Sequence, residues 1–160
     1  MLVGFSAIDS TPMTFALNLL WFLLGGGIFA ALLWCIAGVL LALTVVGLPF
    51  AVAAFRIAGF AAFPFGRRLV DAELTGEQVI PGTGLVNLLW IILAGIWLAI
   101  AHVIAGIACL GSIVGIPFGL AHFKLAAICF APLGKRTVPS EVAEALERAW
   151  SDRFVGGNGR

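Results

Sequence analysis

Polar positions are missing from two long parts of this chain. Between Asp9 and Arg56 no side chain ionises except Cys35, and between Glu77 and Lys124 only His102 and Cys109 do. An apolar stretch of about 18 residues can already cross a bilayer, because ~20 residues at 1.5 Å each span a hydrocarbon core of roughly 30 Å. Two runs of this length cannot be the core of a water-soluble chain of 160 residues. The pattern predicts an integral membrane protein.

The two runs are related to each other. Asn18-Leu19-Leu20-Trp21 returns 69 residues later as Asn87-Leu88-Leu89-Trp90. Gly47-Leu48-Pro49-Phe50 returns 68 residues later as Gly115-Ile116-Pro117-Phe118. At that second offset Phe55-Arg56 matches Phe123-Lys124, and Pro64-Phe65-Gly66-Arg67-Arg68 matches Pro132-Leu133-Gly134-Lys135-Arg136. One deletion between the blocks reconciles the offsets. Repeats that share Asn, Trp, Gly, Pro and basic positions do not arise from greasiness alone.

Each unit, Thr14 to Phe65 and Leu85 to Leu133, has the length of two helices and a tight connection. The connection is expected at Gly47 to Pro49 and Gly115 to Pro117, since proline has no N–H and disfavours helix before it, while glycine tolerates a turn. That choice predicts a first helix of about 28 residues, which must tilt or kink. The second, shorter helix would run from about Phe50 to Phe63. The alternative turn lies at Gly38 and Gly106, with Gly-x-Pro as a kink.

The predicted fold is therefore an all-α integral membrane protein with four transmembrane helices arranged as two tandem helical hairpins. The first repeat covers residues 14–70, a linker 71–84, the second repeat 85–138, and a C-terminal helix and tail 139–160. In that last piece Ser140 is placed to cap, Glu141 suits the first turn, and Glu144 and Arg148 form an i,i+4 pair. Val142, Leu146, Ala149 and Trp150 share a face, so the helix reads as amphipathic. Trp21, Trp34 and Trp90 suit aromatic belts and Gly25-Gly26-Gly27 close helix approach, all of them read as packing features.

Charge sets the orientation. Arg67, Arg68, Lys135 and Arg136 follow the two units, and Arg148, Arg153 and Arg160 come after them. If each unit crosses twice, all seven lie on one side, which the positive-inside rule makes cytoplasmic, with both termini inside. The first four then act as cytoplasmic anchors. Met1 to Phe55 contains no Lys or Arg, so a cleavable signal peptide is not expected. A formal charge of +1 gives no clustered basic surface for nucleic acid. Three cysteines without a CxxC pair encode neither a disulfide framework nor a zinc site.

The second copy, from Gly115-Ile116-Pro117-Phe118-Gly119 through His122-Phe123-Lys124-Leu125-Ala126-Ala127-Ile128 to Pro132-Leu133-Gly134-Lys135-Arg136, resembles the bacterial YccF family. That family is built from two copies of an inner membrane component domain. The likeness runs from about Asn18 to Phe154 and includes Val70-Asp71-Ala72-Glu73-Leu74 of the linker. It implies an inner-membrane location and a helical fold, and transfers no catalytic or binding residues.

Few residues can carry chemistry. Arg56 and Lys124 are equivalent cations inside apolar runs, where a charge costs at least ~2.5–3.5 kcal/mol at mid-depth. Either they attract anions in a path, as candidate permeation residues, or their side chains snorkel to lipid phosphates. Asn18 and Asn87 are candidates for a polar lining, or for caps and interhelical hydrogen bonds. Gly47, Pro49, Gly115 and Pro117 mark the hinge or turn. His102 and Cys109, like His122 and Cys129, are seven apart, which separates them by about 10 Å along a helix, too far for one zinc ion. No metal, cofactor or enzymatic site is expected, because the apolar units contain no Asp or Glu and no nucleophile with an orienting partner. The expected function is a small channel or transporter in the bilayer, for anions, working as a homo-oligomer. The alternative is a non-catalytic membrane component that docks partner proteins through its linker and tail.

Overall fold

A computed structural model describes residues 12–45, 47–78 and 81–155. The chain is mostly helical. Helices α1 (Pro12–Leu24) and α2 (Gly27–Ala42) are followed by α3 (Leu48–Ala62), strand β1 (Arg67–Asp71) and a 3-10 turn at Ala72–Thr75. Helix α4 (Thr83–Trp90) runs through a π-helical turn, Ile91–Gly95, into α5 (Ile96–Cys109). Helix α6 (Gly115–Phe130), strand β2 (Lys135–Pro139) and α7 (Ser140–Val155) complete it. The tail beyond Val155 lies outside the described residues.

Thr83–Cys109 is one 27-residue helix, long and apolar enough to cross a membrane, and only 11% of its most apolar window is buried inside the chain. Leu93, Trp97, Ile104 and Ile107 stand more than half exposed along it. A soluble core helix would hide such side chains, so lipid is the solvent these positions suit. In the first half the corresponding length is broken: α1 and α2 meet at 70°. Gly26 supplies the break with φ +88°, a left-handed conformation that side chains with a Cβ avoid. Gly25 makes room for Trp21, whose Cε3 would lie 2.6 Å from an added methyl group. The expected use of this triplet, close helix packing, gives way to a hinge around an indole. The one-residue difference between the two offsets falls where both halves depart from α-helix, at the Gly break in one and the π-turn in the other.

The turns lie between Ala42 and Leu48 and between Cys109 and Gly115, and the Gly-x-Pro motifs open the second helices. Gly47 stands at the N-cap of α3 and Pro49 in its first turn, where a missing N–H costs nothing. Gly115 and Pro117 begin α6. The alternative turn is excluded. Gly38 and Gly106 lie inside α2 and α5, where added methyl groups would press on Phe55 at 3.0 Å and Phe123 at 2.7 Å. At 15 and 16 residues, α3 and α6 extend about 23 Å, short of a full hydrocarbon core.

The chain is not wholly helical. β1 and β2 form a two-stranded antiparallel ribbon out of the basic segments that the sequence pattern marks only as anchors. Its register places Leu69 opposite Thr137, Arg68 opposite Val138 and Val70 opposite Arg136. Under the 68-residue offset these pairs exchange with one another, so the ribbon maps onto itself by a local two-fold. Its ends repeat the relation: Ala72 N–H donates to Gly134 O at 2.8 Å, and Ser140 N–H to Gly66 O at 3.1 Å.

Core packing crosses between halves in the same way. Trp21, fully buried, sits 6.0 Å from Phe118, while Trp90 stacks 5.3 Å from Phe50. Trp34 is buried as well. Trp21 and Trp34 are interior residues, and half-buried Trp90 packs against the same core.

Candidate functional site

The repeated Asn-Leu-Leu-Trp acquires a physical reason. Residues three apart share a helix face, so Asn18 with Trp21 and Asn87 with Trp90 point together at the exit of the second helix in their own half. Trp21 Nε1 donates to Ala61 O at 2.7 Å and Trp90 Nε1 to Cys129 O at 2.9 Å. These carbonyls belong to the last turns of α3 and α6, which no intrahelical N–H can satisfy. Asn18 Nδ2 donates to Phe65 O at 3.1 Å, and Phe65 N–H donates back to Asn18 Oδ1 at 3.0 Å. Asn87 makes the same pair with Leu133, at 3.2 Å each way. Each carboxamide thus imitates a peptide group closing a ladder. Of the two roles expected for these asparagines, the hydrogen-bonding one takes the form of a backbone clamp, and Asn87 also reaches the wall of a cavity.

Below the clamps the chain turns into the ribbon, where Gly66 and Gly134 adopt φ of +72° and +77°. Here the basic residues meet acids from both connecting segments. Arg68 holds Glu147 of α7 through both guanidinium nitrogens, at 2.9 and 3.2 Å. Lys135 Nζ lies 2.6 Å from Asp71 Oδ1, its partner in the ribbon register. Arg136 pairs with Glu77. The arrangement is again reciprocal: each strand's arginine takes the acid that follows the other strand. Hydrogen bonding from Arg136, with smaller help from the charge of Arg56, holds the Glu77 carboxyl below its usual range.

Two cavities adjoin the ribbon. The larger, about 750 Å³, has Arg56, Lys135 and Arg136 on its wall together with Asp71, Glu73 and Glu77. The smaller, about 220 Å³, is lined by Arg68, Lys124 and Lys135 over Phe60, Leu69 and Ile128, with no carboxylate on its wall. Arg56 and Lys124 line different cavities within the chain. Their surroundings also differ: the Arg56 cavity carries three acids on its own wall, whereas beside Lys124 the acids that pair with Arg68 and Lys135 lie outside the lining. Lys124 stands six residues before the end of α6, about 9 Å along the axis, so its side chain reaches the level of the ribbon.

The histidines pair with each other and not with the cysteines. His102 Nδ1 and His122 Nδ1 lie 3.1 Å apart across α5 and α6, and the Trp21 ring meets His122 edge-on at 4.9 Å. One ring must donate and the other accept. Their positions were legible once the turn was placed: each is ten residues from Ser112, the middle of the connection. The acid partners Asp71, Glu77 and Glu147 had no such signal. Among the described residues no group of three or more His, Cys, Asp or Glu could hold a metal ion.

Helix α7 leaves the ribbon with Ser140 and Ala143 buried, but Val142 is 44% and Trp150 37% exposed. Its expected apolar face is therefore only in part covered by the chain. Glu144 and Arg148 lie 3.8 Å apart on its surface.

A mostly helical chain with a lipid-suited helix surface and a charged ribbon at the helix exits defines the class, a helical membrane protein. The comparisons agree. The model of the YccF family, described as the inner membrane component domain, matches residues 16–67 and again 85–135. The Inner membrane protein YccF of Escherichia coli (strain K12) is 36% identical over 143 residues, which cover 86% of this chain and 95% of that protein. The protein of the same name from Shigella flexneri matches to the same extent. The chain belongs to the YccF family of inner-membrane proteins. No solved structure matches it.

Proposed function

We propose that the chain crosses the inner membrane four times, with both termini cytoplasmic, and binds anions at its cytoplasmic face as the working part of a small homo-oligomeric channel or transporter. The observation that carries this reading is the 220 Å³ cavity, whose lining gathers Arg68, Lys124 and Lys135 and holds no carboxylate, the acids that pair with Arg68 and Lys135 lying outside it. Rings of basic side chains are the ordinary means by which a pore attracts anions. Assembly belongs to the reading because the chain's own interior is filled: Trp21, Leu125 and Cys129 are each fully buried. A path must then run between copies.

The test is flux of anions and cations through purified protein in liposomes, wild type beside Arg56→Gln/Lys124→Gln. Anion-selective flux that falls in the double variant, with the oligomer unchanged, supports the reading. Absence of flux above empty liposomes, from folded and inserted protein, rejects transport.

A second reading, docking of a protein partner, is favoured by one observation, the exposure of Val142 and Trp150 on α7. The linker and tail acids are weaker docking elements, since Asp71, Glu77 and Glu147 already hold the ribbon's cations. Truncation before Ser140 would release a partner that uses α7 and leave ion flux intact.

A further inference from the structure

We infer that the cavity beside Lys124 is a binding site for the phosphate headgroup of an anionic phospholipid. The inference rests on the anion-binding reading above and names the ligand class. Three features of the cavity select it. First, its three cations are of two kinds and come from three elements: Arg68 from β1, Lys135 from β2 and Lys124 from α6. A tetrahedral phosphate can accept from several such donors at once, whereas a small monatomic ion cannot reach all of them. Arg68 gives Glu147 only two of its five N–H groups, and Lys135 gives Asp71 one of three, so both retain donors.

Second, the remaining wall is apolar. Phe60, Leu69, Ala127 and Ile128 complete the lining. A soluble anion gains nothing from these side chains, but an amphiphile places its phosphate on the cations and its glycerol and first methylenes on the hydrocarbon. The volume of 220 Å³ is several times a water's share of about 30 Å³, enough for a headgroup phosphate and part of its glycerol. Third, the cavity lies where α6 gives way to the ribbon, and basic pockets between helices at the cytoplasmic surface are suited to lipid headgroups. The larger cavity carries Asp71, Glu73 and Glu77 on its own wall, so an anion there would meet carboxylates as well as cations.

Phosphate is shared by lipid and soluble ligands, so the test separates them. Native mass spectrometry of the full chain is run with phosphatidylglycerol, with phosphatidylcholine and with inorganic phosphate. The expected result is retention of phosphatidylglycerol over phosphatidylcholine. That preference should fall about fivefold in Lys124→Gln, the order expected for one basic residue at a membrane surface. Lys124→Arg should restore it, and Arg148→Gln on α7 should leave it unchanged. Circular dichroism confirms that each variant is folded, and in the wild type the preference should weaken as salt rises. Equal retention of both lipids, or a preference unchanged in Lys124→Gln, overturns the inference. Binding of inorganic phosphate without any lipid preference also overturns it, yet leaves the anion-binding reading standing. If neither lipid nor phosphate binds to folded protein, both fall together.

Discussion

Replacing Asn87 by leucine tests whether the asparagine clamps hold the fold. Leucine has the same branched skeleton of side-chain heavy atoms as asparagine and a better helix propensity, so the helix itself is not weakened and packing changes only by the bulk of its methyl groups. What is lost is the pair of hydrogen bonds to Leu133, each 3.2 Å. A typical hydrogen bond contributes about 1 kcal/mol net, and a buried backbone group left without a partner costs about 1–3 kcal/mol. The site is half-buried, so water repairs part of the loss, and the expected destabilisation is about 2–4 kcal/mol. Asn18→Leu should cost the same to within about 1 kcal/mol, because Asn18 makes the same pair with Phe65.

Aspartate makes the comparison sharper. Asn87→Asp keeps the acceptor for the Leu133 N–H but sets a carboxylate oxygen against the Leu133 carbonyl, so it should be at least as damaging as leucine. If instead these residues line a path, aspartate would alter flux and leave stability alone. The assay is reversible unfolding in mixed micelles by titration with a denaturing detergent, followed by helical circular dichroism. A loss below about 0.5 kcal/mol for Asn87→Leu, or a benign Asn87→Asp, would refute the clamp.

Three further expectations follow from the same geometry. Trp21→Phe and Trp90→Phe keep an aromatic ring but leave the Ala61 and Cys129 carbonyls unpaired, so each should cost about 1–3 kcal/mol in the same titration. Gly26→Ala forces a Cβ into a left-handed conformation and should cost about 1–2 kcal/mol, whereas Gly59→Ala, in open space within α3, should not destabilise. Glu77 has a folded pKa below its ordinary 4.5, so its contribution is full above that value and is lost as pH falls through the folded one. The difference in melting temperature between wild type and Glu77→Gln should be present at neutral pH and close below pH 4.5. A difference that persists in acid would detach it from the Arg136 pair.

What the sequence made legible is what hydrophobic length and special residues encode. The apolar runs announced lipid, and the Gly-x-Pro motifs marked the connections to within a few residues, although Leu48, Pro49 and Gly115 to Pro117 already belong to α3 and α6 and the turns lie just before them. The recurrence of Asn-Leu-Leu-Trp was visible, but its role was not. A carboxamide that pairs with a backbone 46 or 47 residues away leaves no local periodicity to read. The ribbon escaped for a similar reason. Arg67–Asp71 and Lys135–Pro139 are five residues each, too short for an alternation pattern to stand out. Their basic residues drew attention to topology, while their pairing depends on tertiary placement. The separation of Arg56 from Lys124 was equally hidden, because equivalence in a repeat says nothing about whether two-fold mates meet.

The ribbon bears on topology more directly than any count of charges. β1 follows α3 and β2 follows α6, and the two strands are hydrogen-bonded to each other. The exits of both hairpins therefore lie at one place on one side of the protein. In the proposed arrangement the chain between the strands, including the 27-residue helix Thr83–Cys109, leaves that side and comes back. An odd number of crossings between β1 and β2 would tear the strands apart across a membrane. The four-span arrangement we propose satisfies this with two crossings per half. Counting charges alone is weaker ground, since Arg68, Lys135 and Arg136 are each paired with an acid. A cysteine accessibility scan checks the point: single cysteines at the exposed Arg67 and Pro139, in a background with Cys35, Cys109 and Cys129 replaced, should label from the cytoplasmic side alone. Labelling from opposite sides would be incompatible with the ribbon, and with it the reciprocal ion pairs and the anion site we propose beside them.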